Sequence, residues 1–432
     1  MSALLFLLAC GSGKVPVEGQ DSTSAPASDS ADTDTDTDTD SDSDTDSGAD
    51  TDPQEEEEEE EEEEKTWPRP CADLYDPDTL PTFELTFTDA ELRSLSADCS
   101  AYSQDYHPVE FSYDGETVSA MARLKGNWSW SCTKMQFVIS FNEEDSGGRF
   151  HGLRKLVLDA PWYDRTLLHE RVAFPLFERL GLPYSCVNNA RLNINGEYYG
   201  IYANTERIDH EYLERNFEEE DGNLYQAGAE LKTNEDVGDT SDIEALNAAS
   251  TVDQIAALMD LDEAVAEWAA EAMLPAMDNY WAGVEINYYL YNHPSRGFVY
   301  LPYDLDVSFG DSAYTDGSLV WPDTVNADPI TYEHPGWRKE QLVKTVLADP
   351  TWCARFVEEL VLARAAYDPD EMAAQVEAWN EQILSALAED TRKPYSMSGH
   401  NEAIDDLKAF FGARAAVVDA WLAEGGHCPA RW

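Results

Sequence analysis

The stretch that decides the fold reads ARLNINGEYYGIY and occupies residues 190–202. Residues 190–194 lead into Asn195-Gly196, a dipeptide typical of the two-residue turn of a β-hairpin, and residues 197–202 follow as the return strand. The stretch therefore predicts a hairpin whose strands run over 190–194 and 197–202.

The chain around this hairpin is also rich in strand patterns. Apolar residues at helical spacing predict one embedded helix over 167–180, with Gly181 as its C-terminal cap, and Pro175 favours a kink in that helix. A short helix is predicted over 89–95, and Asp114-Gly115 marks the turn of another hairpin. The predicted strands of this region are 83–87, 109–113, 118–124, 135–141 and 153–158.

The second half of the sequence is mostly helical in pattern, with one hairpin over 286–291 and 298–302. The predicted helices are 241–249, 252–259, 261–277, 352–365, 369–387 and 403–423. A β-rich part followed by a helical part predicts an α+β protein. This order is that of a protein-kinase-like two-lobed fold, with a β-rich N-lobe and a mainly helical C-lobe, and it is shared by many other α+β proteins.

The first ten residues, MSALLFLLAC, end in a Leu-Leu-Ala-Cys run that resembles a bacterial lipobox. We interpret residues 1–10 as a lipoprotein signal peptide, with Cys10 as the lipidated residue, although a chance apolar start is an alternative. Residues 11–66 contain Asp-Thr repeats and the glutamate run Glu55–Glu64, which predict a disordered acidic stalk. The folded domain is predicted over residues 67–432, and the protein is expected at the outer membrane or cell surface, held to the membrane by the lipid anchor only.

The charge of the protein excludes some partners. The formal net charge is -59, from 87 acidic and 28 basic residues. Nucleic acids and anionic lipids are bound through patches of Lys and Arg, so we expect no nucleic-acid partner.

The cysteines favour an oxidising compartment. Besides Cys10 there are six, without the paired CxxC spacing of a zinc ribbon, and they allow up to three disulfides, with six buried free thiols as the alternative. They are Cys71, Cys99, Cys132, Cys186, Cys353 and Cys428.

A series of short motifs between Arg123 and Asp311 resembles the CotH family of spore-coat-type atypical protein kinases. The motifs are RLKGNWS (123–129), TKMQF (133–137), DRTLLH (164–169), LNINGEYYGIY (192–202), ERID (206–209), NYYLY (287–291) and LPYDLDVSFG (301–310). Some positions depart from the family pattern, because Lys125 replaces an Arg, His169 an Arg and Gln226 a Lys. Gly283 stands where a kinase-like pattern would place an Asn. These departures leave the fold intact and put catalytic competence in question.

The resemblance implies phosphoryl transfer, which needs a cation for the phosphates, oxygen ligands for Mg²⁺ and an Asp that orients the acceptor hydroxyl. Asp304, at the end of a predicted strand, is the first candidate for a metal ligand, and Asp306 is the second if the strand continues. Asn287 is a candidate amide ligand, or a residue that only fixes the hairpin. Asp278, after the predicted helix 261–277, is the candidate catalytic residue.

The phosphates of the nucleotide would need basic side chains and backbone amides around them. Lys134 is the candidate for pairing with the phosphates, with Lys125 and Lys155 as rivals, and Glu170 is expected to hold that lysine by an ion pair. Arg123 and Asn127 are expected near phosphate, where backbone amides around Gly126-Asn127 could form an anion-binding nest.

Two classes of function remain open from the sequence. One is a kinase that uses ATP and Mg²⁺ (or Mn²⁺) to modify Ser or Thr of secreted, surface or coat proteins. The other is a non-catalytic module for surface adhesion or coat assembly, and transfer of AMP on the same scaffold is a further alternative.

Overall fold

The computed structural model describes residues 67–126, 129–160, 162–310, 324–334 and 338–429. The predicted signal peptide, the lipidation site Cys10, the predicted stalk and Asn127 lie outside the described residues, so these remain predictions.

Seven strands of the first half form a closed barrel in the order β1-β2-β3-β4-β5-β7-β6. All neighbours are antiparallel except β1 and β6, which pair in parallel and close the barrel. The strands are β1 (Thr82–Thr86), β2 (His107–Tyr113), β3 (Glu116–Lys125), β4 (Gln136–Ser140), β5 (Lys155–Asp159), β6 (Val187–Ile194) and β7 (Glu197–Thr205). Alternate apolar residues of these strands, such as Phe83, Leu85 and Phe111, enter the main core.

The predicted turns lie where the sequence places them. Asn195 and Gly196 both have positive φ, 51° and 77°, as the tight turn between β6 and β7 requires. Asp114 and Gly115, between β2 and β3, also have positive φ, 48° and 83°.

Two helices accompany the barrel strands. Helix α1 (Asp89–Ala101) is longer than predicted, and Thr88 caps its N-terminus through the backbone amide of Glu91. Helix α2 (His169–Leu180) tolerates Pro175 in its interior and ends at Gly181 with φ of 70°.

A second, four-stranded sheet has the order β11-β10-β8-β9. Its strands are β8 (Asn223–Gln226), β9 (Glu230–Leu231), β10 (Tyr288–His293) and β11 (Gly297–Pro302). A separate small core, which includes Tyr291 and Leu301, packs against this sheet.

Helices dominate the rest of the second half. They are α3 (His210–Asn216), α4 (Ser241–Ala248), α5 (Val252–Ala256), α6 (Leu261–Met273), α7 (Gln341–Leu347), α8 (Pro350–Ala366), α9 (Pro369–Glu389) and α10 (Met397–Ala423). Asp349 and Asp368 cap the N-termini of α8 and α9. Each is followed by a proline, which is favoured at the first position of a helix. The predicted α+β fold, β-rich first and helical second, is confirmed. No helix in the described ranges has the length and apolar character needed to cross a membrane.

Three disulfides connect the six cysteines after Cys10, which confirms the disulfide interpretation over free thiols. They are Cys71–Cys186, Cys99–Cys132 and Cys353–Cys428, with Cα–Cα distances of 5.8, 5.7 and 6.0 Å.

A buried ion pair ties the barrel to the C-terminal helices. Lys134 is fully buried, and its Nζ donates to Asp390 Oδ2 at 2.7 Å and to the carbonyl of Ile201 at 2.6 Å. Asp390 follows the last turn of α9 and also accepts from the Ile201 amide at 3.2 Å. Burial lowers the pKa of Lys134 to about 8 even though Asp390 raises it.

Lys134→Met is expected to lower the free energy of unfolding by about 3–5 kcal/mol, because Asp390 would be left as an unpaired buried charge. Denaturation in urea measures this change. The control is Lys408→Met, which removes a more exposed pair with Glu377 at 2.8 Å, and about 0–1 kcal/mol is expected there. Equal losses in the two variants would contradict a structural role for the Lys134 pair.

Candidate functional site

The segment after α6 is fixed beside the segment after β11. The Met277 amide donates to the carbonyl of Val307 at 3.0 Å, and the Phe309 amide donates to the carbonyl of Leu274 at 2.9 Å. These two backbone hydrogen bonds bring Asp278 into the neighbourhood of residues 304–306.

Asp304 lies two residues beyond the end of β11, as the sequence predicts for a metal ligand at a strand end. Its backbone is left-handed, with φ of 54°, and it precedes a 3-10 turn over Leu305–Val307. The strand therefore does not continue to Asp306. The condition under which both carboxylates would lie on one side of an extended strand is therefore not met, because Asp306 is carried by the turn.

Four carboxylates from three segments of the chain converge here. Burial, followed by the charge of Asp304, raises the pKa of Glu170 to about 8 and the pKa of Asp278 to about 8. Burial raises the pKa of Asp306 well above its usual range, and Asp304, Asp278 and Glu170 raise it further. We call Glu170, Asp278, Asp304 and Asp306 the carboxylate cluster.

Asn279 holds the parts of this site together, and sequence reasoning missed it. Its side chain is fully buried, and Nδ2 donates to the carbonyls of Asn287 at 3.2 Å and Tyr303 at 3.1 Å. Asn287 in turn donates through Nδ2 to the carbonyl of Asp278 at 3.4 Å. Asn287, predicted as a metal ligand, therefore also makes contacts that fix the hairpin, which was the alternative interpretation of this residue. The only sequence signal for Asn279 is its position directly after Asp278.

The start of α2 fixes Glu170 and Asp306. Asp164 accepts from the amides of Thr166 at 2.7 Å and His169 at 2.8 Å, which sets the first turn of the helix. His169 is fully buried, and its Nδ1 donates to the carbonyl of Asp306 at 2.6 Å. His169 therefore supports the turn that carries Asp306.

The cation beside the cluster is Lys125, one of the two rivals to Lys134. Lys125 forms an ion pair with Asp159, and its charge lowers the pKa of Glu170. Glu170 accepts from Thr205 Oγ1 at 2.8 Å, whereas Lys134 is committed to Asp390. The expected ion pair between Lys134 and Glu170 is therefore not formed, because Lys134 binds the carboxylate that ends α9.

The remaining predicted residues have structural contacts of their own. Arg123 is buried, donates to Gln104 Oε1 at 2.6 Å and lies 5.4 Å from the ring centre of Tyr106. Lys155 lines a different cavity, together with Arg154 and Lys232. The phosphate-binding roles of Arg123 and Lys134 stay predictions.

Gly283, the departure from the kinase-like pattern, has a steric cause. Its φ is +88°, and a Cβ there would lie 2.5 Å from the carbonyl carbon and oxygen of Arg338. An asparagine therefore does not fit. The neighbouring Lys339 is buried, donates to the carbonyl of Trp281 and lies 3.4 Å from the centre of the Trp281 ring. Burial lowers the pKa of Lys339 to about 7.

Within the part of the chain that the structure describes, no group of three or more His, Cys, Asp or Glu side chains is arranged to hold a metal ion. A complete protein cage for a metal is thus not formed by those residues. Mg²⁺ often uses only one or two carboxylates and completes its shell with water and substrate phosphate.

These features define a two-lobed α+β protein with a carboxylate cluster between α2 and the loops that follow α6 and β11. A family model described as CotH kinase protein matches residues 122–418, and the chain belongs to the CotH family. The resemblance inferred from the motifs is therefore confirmed. The chain is also similar to the inner spore coat protein H of Bacillus subtilis (strain 168), with 25% identity over 134 residues. That similarity covers 31% of this chain and 36% of the relative, so it spans about a third of each.

Asp304→Asn is expected to flatten the pH dependence of stability. The pKa values of Glu170 and Asp278 are raised to about 8 from 4.5 and 3.8, so the native state binds their protons more tightly. Stability therefore falls as pH rises from the unfolded values towards about 8. Removing the Asp304 charge should reduce the fall between about pH 5.5 and 8 by about 1–2 kcal/mol.

Urea denaturation at these two pH values measures the effect. The control is Asp105→Asn, which removes an exposed carboxylate and should leave the slope unchanged. An Asp304→Asn slope equal to that of the parent protein would show that Asp304 does not act on the cluster.

Gly283→Ala is expected to destabilise the protein by about 2–3 kcal/mol, because the new methyl group meets the backbone of residue 338 and the positive φ disfavours alanine. The control is Gly412→Ala in α10, where nothing lies within 4 Å of the added carbon. There we expect a gain of about 0.5–1 kcal/mol. Thermal unfolding of both variants checks the contrast, and a neutral Gly283→Ala would refute the close approach.

Proposed function

We propose that this protein is an exported atypical protein kinase that transfers the γ-phosphate of ATP to Ser or Thr of surface or coat proteins. The observation that carries the proposal is the carboxylate cluster, in which an Asp at a strand end and an Asp after a helix interact electrostatically. Phosphoryl transfer requires these two acidic groups in distinct roles.

The cluster would suit a divalent cation that takes only one or two protein carboxylates. Asp278 Oδ1 is buried and has no hydrogen-bond partner among the described residues. Burial, followed by the charges of Asp304, Asp278 and Glu170, raises the pKa of Asp306 well above its usual range. Asp304 and Asp306 would hold Mg²⁺ or Mn²⁺, with Asn287 Oδ1 as a further ligand. When bound, the metal would neutralise charge on the phosphates of ATP.

Asp278 would orient the acceptor hydroxyl. Its carboxylate is buried, and Oδ1 has no hydrogen-bond partner among the described residues, so this oxygen could accept the hydroxyl proton. The backbone amide of Met277 and the side-chain amide of Asn279 each donate a hydrogen bond, and these two bonds fix the loop on both sides of Asp278. Lys125, which lowers the pKa of Glu170, is the described lysine best placed to compensate phosphate charge near the cluster.

The relative and the sequence support the proposed location. The relative is a spore coat protein by name, which supports a surface or coat location for this chain. Lipidation at Cys10 would hold the protein at the membrane, and the net charge of -59 opposes nucleic-acid binding.

Nucleotide binding to the full chain is the first experiment. ATP with Mg²⁺ or Mn²⁺ should raise the melting temperature, because a ligand that binds only the native state stabilises it by mass action. The rise should require the metal and should vanish in Asp304→Ala, while Asp105→Asn retains it. The absence of any rise at millimolar nucleotide would refute the kinase proposal and favour a non-catalytic surface module.

Transfer of label then defines the reaction. With ATP labelled at the γ-phosphate, we expect label on Ser or Thr of a surface-protein fraction, and Asp278→Asn should reduce the rate at least about 100-fold. Label that transfers only from the α-phosphate would indicate AMP transfer instead.

A further inference from the structure

Three glutamates lie along one side of α6, inside the fold. Glu263, Glu267 and Glu271 are spaced four residues apart, so their side chains follow one another along one face of the helix. Glu267 and Glu271 are fully buried, and the side chain of Glu263 is only 13% exposed. Since acidic side chains are almost never fully buried unless they are paired, the partners of these glutamates decide what the row does.

Glu267, the middle residue of the row, has no hydrogen-bond partner among the described residues, and both of its carboxyl oxygens are buried. The outer two glutamates differ, because Glu263 pairs with Arg296 and Glu271 Oε1 accepts from the hydroxyl of Tyr300 in β11 at 2.7 Å. An ionised carboxylate without a partner is very costly in a protein interior, so such a group keeps its proton instead.

The groups that face Glu267 do not compensate a negative charge. Burial, followed by the charges of Glu263 and Glu271, raises the pKa of Glu267 well above its usual range. From α3, the buried hydroxyl of Tyr212 lies within the electrostatic reach of Glu267 and has no hydrogen-bond partner in the described part of the chain. From β11, the hydroxyl of Tyr300 is already bound to Glu271.

In the described chain, the charged groups of the other elements around α6 are bound elsewhere. Arg296, in the turn before β11, binds Glu263 and Asp260. Burial raises the pKa of Glu271 to about 7, while Tyr300 and Lys339 lower it, and Lys339 itself donates to the carbonyl of Trp281. The remaining contacts are Arg355 with Glu359 in α8, Arg414 of α10 with the carbonyl of Ala272, and, in α2, His169 with the carbonyl of Asp306 and Glu170 with Thr205.

We propose that Glu267 is a pH-sensitive switch built into α6. With its proton bound, the neutral side chain allows α6 to pack against β11. Loss of the proton at alkaline pH leaves a buried carboxylate between Glu263 and Glu271, and this charge opens the contact. Because α6 leads to Asp278 and β11 leads to Asp304, the opening would displace two members of the carboxylate cluster. The switch itself does not depend on the proposed kinase activity.

The first test is the unfolding equilibrium constant of the full chain, measured in urea at about pH 5.5 and pH 8.5. The native state binds the Glu267 proton more tightly than the unfolded state, whose value is about 4.5, so stability falls and the constant rises as pH increases. Glu267→Gln should reduce this rise by at least about tenfold, since each unit of difference in pKa is a factor of ten. The carboxylate cluster contributes equally to both proteins, so their difference isolates Glu267.

The matched control is Glu381→Gln, which changes an exposed glutamate of α9 and should retain the rise of the parent protein. Glu267→Met is the second variant, because an apolar side chain of similar length removes the charge without adding donors. It should flatten the pH dependence as Glu267→Gln does, and it supplies the test where the glutamine variant does not fold. A rise in both Glu267 variants equal to that of the parent protein would overturn the proposal.

Hydrogen exchange tests whether the opening is local. After correction for the intrinsic rate at each pH, amide protection in α6 and β11 should fall between about pH 7 and 9 by at least about tenfold more in the parent protein than in Glu267→Gln. Protection in α9 should change equally in the two proteins. Protection lost evenly over the whole chain, or lost equally from α6 and β11 in both proteins, would overturn the switch.

Discussion

The repulsion among Glu170, Asp278, Asp304 and Asp306 is the constraint on which the arrangement of this protein depends. Burial and mutual charge raise the pKa values of Glu170, Asp278 and Asp306, so the cluster would separate if its segments were free to move. Hydrogen bonds from the backbone of Met277 and from the side chains of Asn279, His169 and Thr205 hold these segments in place. Such perturbed acids are typical of functional sites, where stability is given up for chemistry.

Some of the scarce basic residues of this acidic chain are buried inside the fold. Lys134 joins the barrel to the end of α9 through Asp390, and Arg215 pairs with the buried Glu206 at 2.7 Å. In both cases a buried carboxylate compensates the cation, and the pair connects segments that are distant in sequence. Arg171 differs because its hydrogen-bond partners, Asn189 Oδ1 and the carbonyl of Pro77, are neutral, while burial lowers its pKa and the charge of Asp78 raises it.

Local sequence patterns predicted most elements, because turns and caps are local chemistry. The Asn195-Gly196 turn, the Gly181 cap and the strand that leads to Asp304 are examples. Closure of the barrel was not predictable in this way, since it depends on parallel pairing of β1 with β6, about a hundred residues apart. The dependence on contacts between distant parts of the chain also explains why the sequence favoured Lys134 over Lys125 as the phosphate-binding lysine. A strand pattern shows where a lysine lies along the chain, but Asp390, which binds Lys134, belongs to the far end of the sequence.

Helix α2 connects the carboxylate cluster to the turn that follows β11. Glu170 in its first turn belongs to the cluster, and the preceding residue, His169, is buried and donates to the carbonyl of Asp306 at 2.6 Å. Because these two contacts come from adjacent residues of one helix, a shift of α2 would displace a carboxylate of the cluster and the turn that carries Asp306 together.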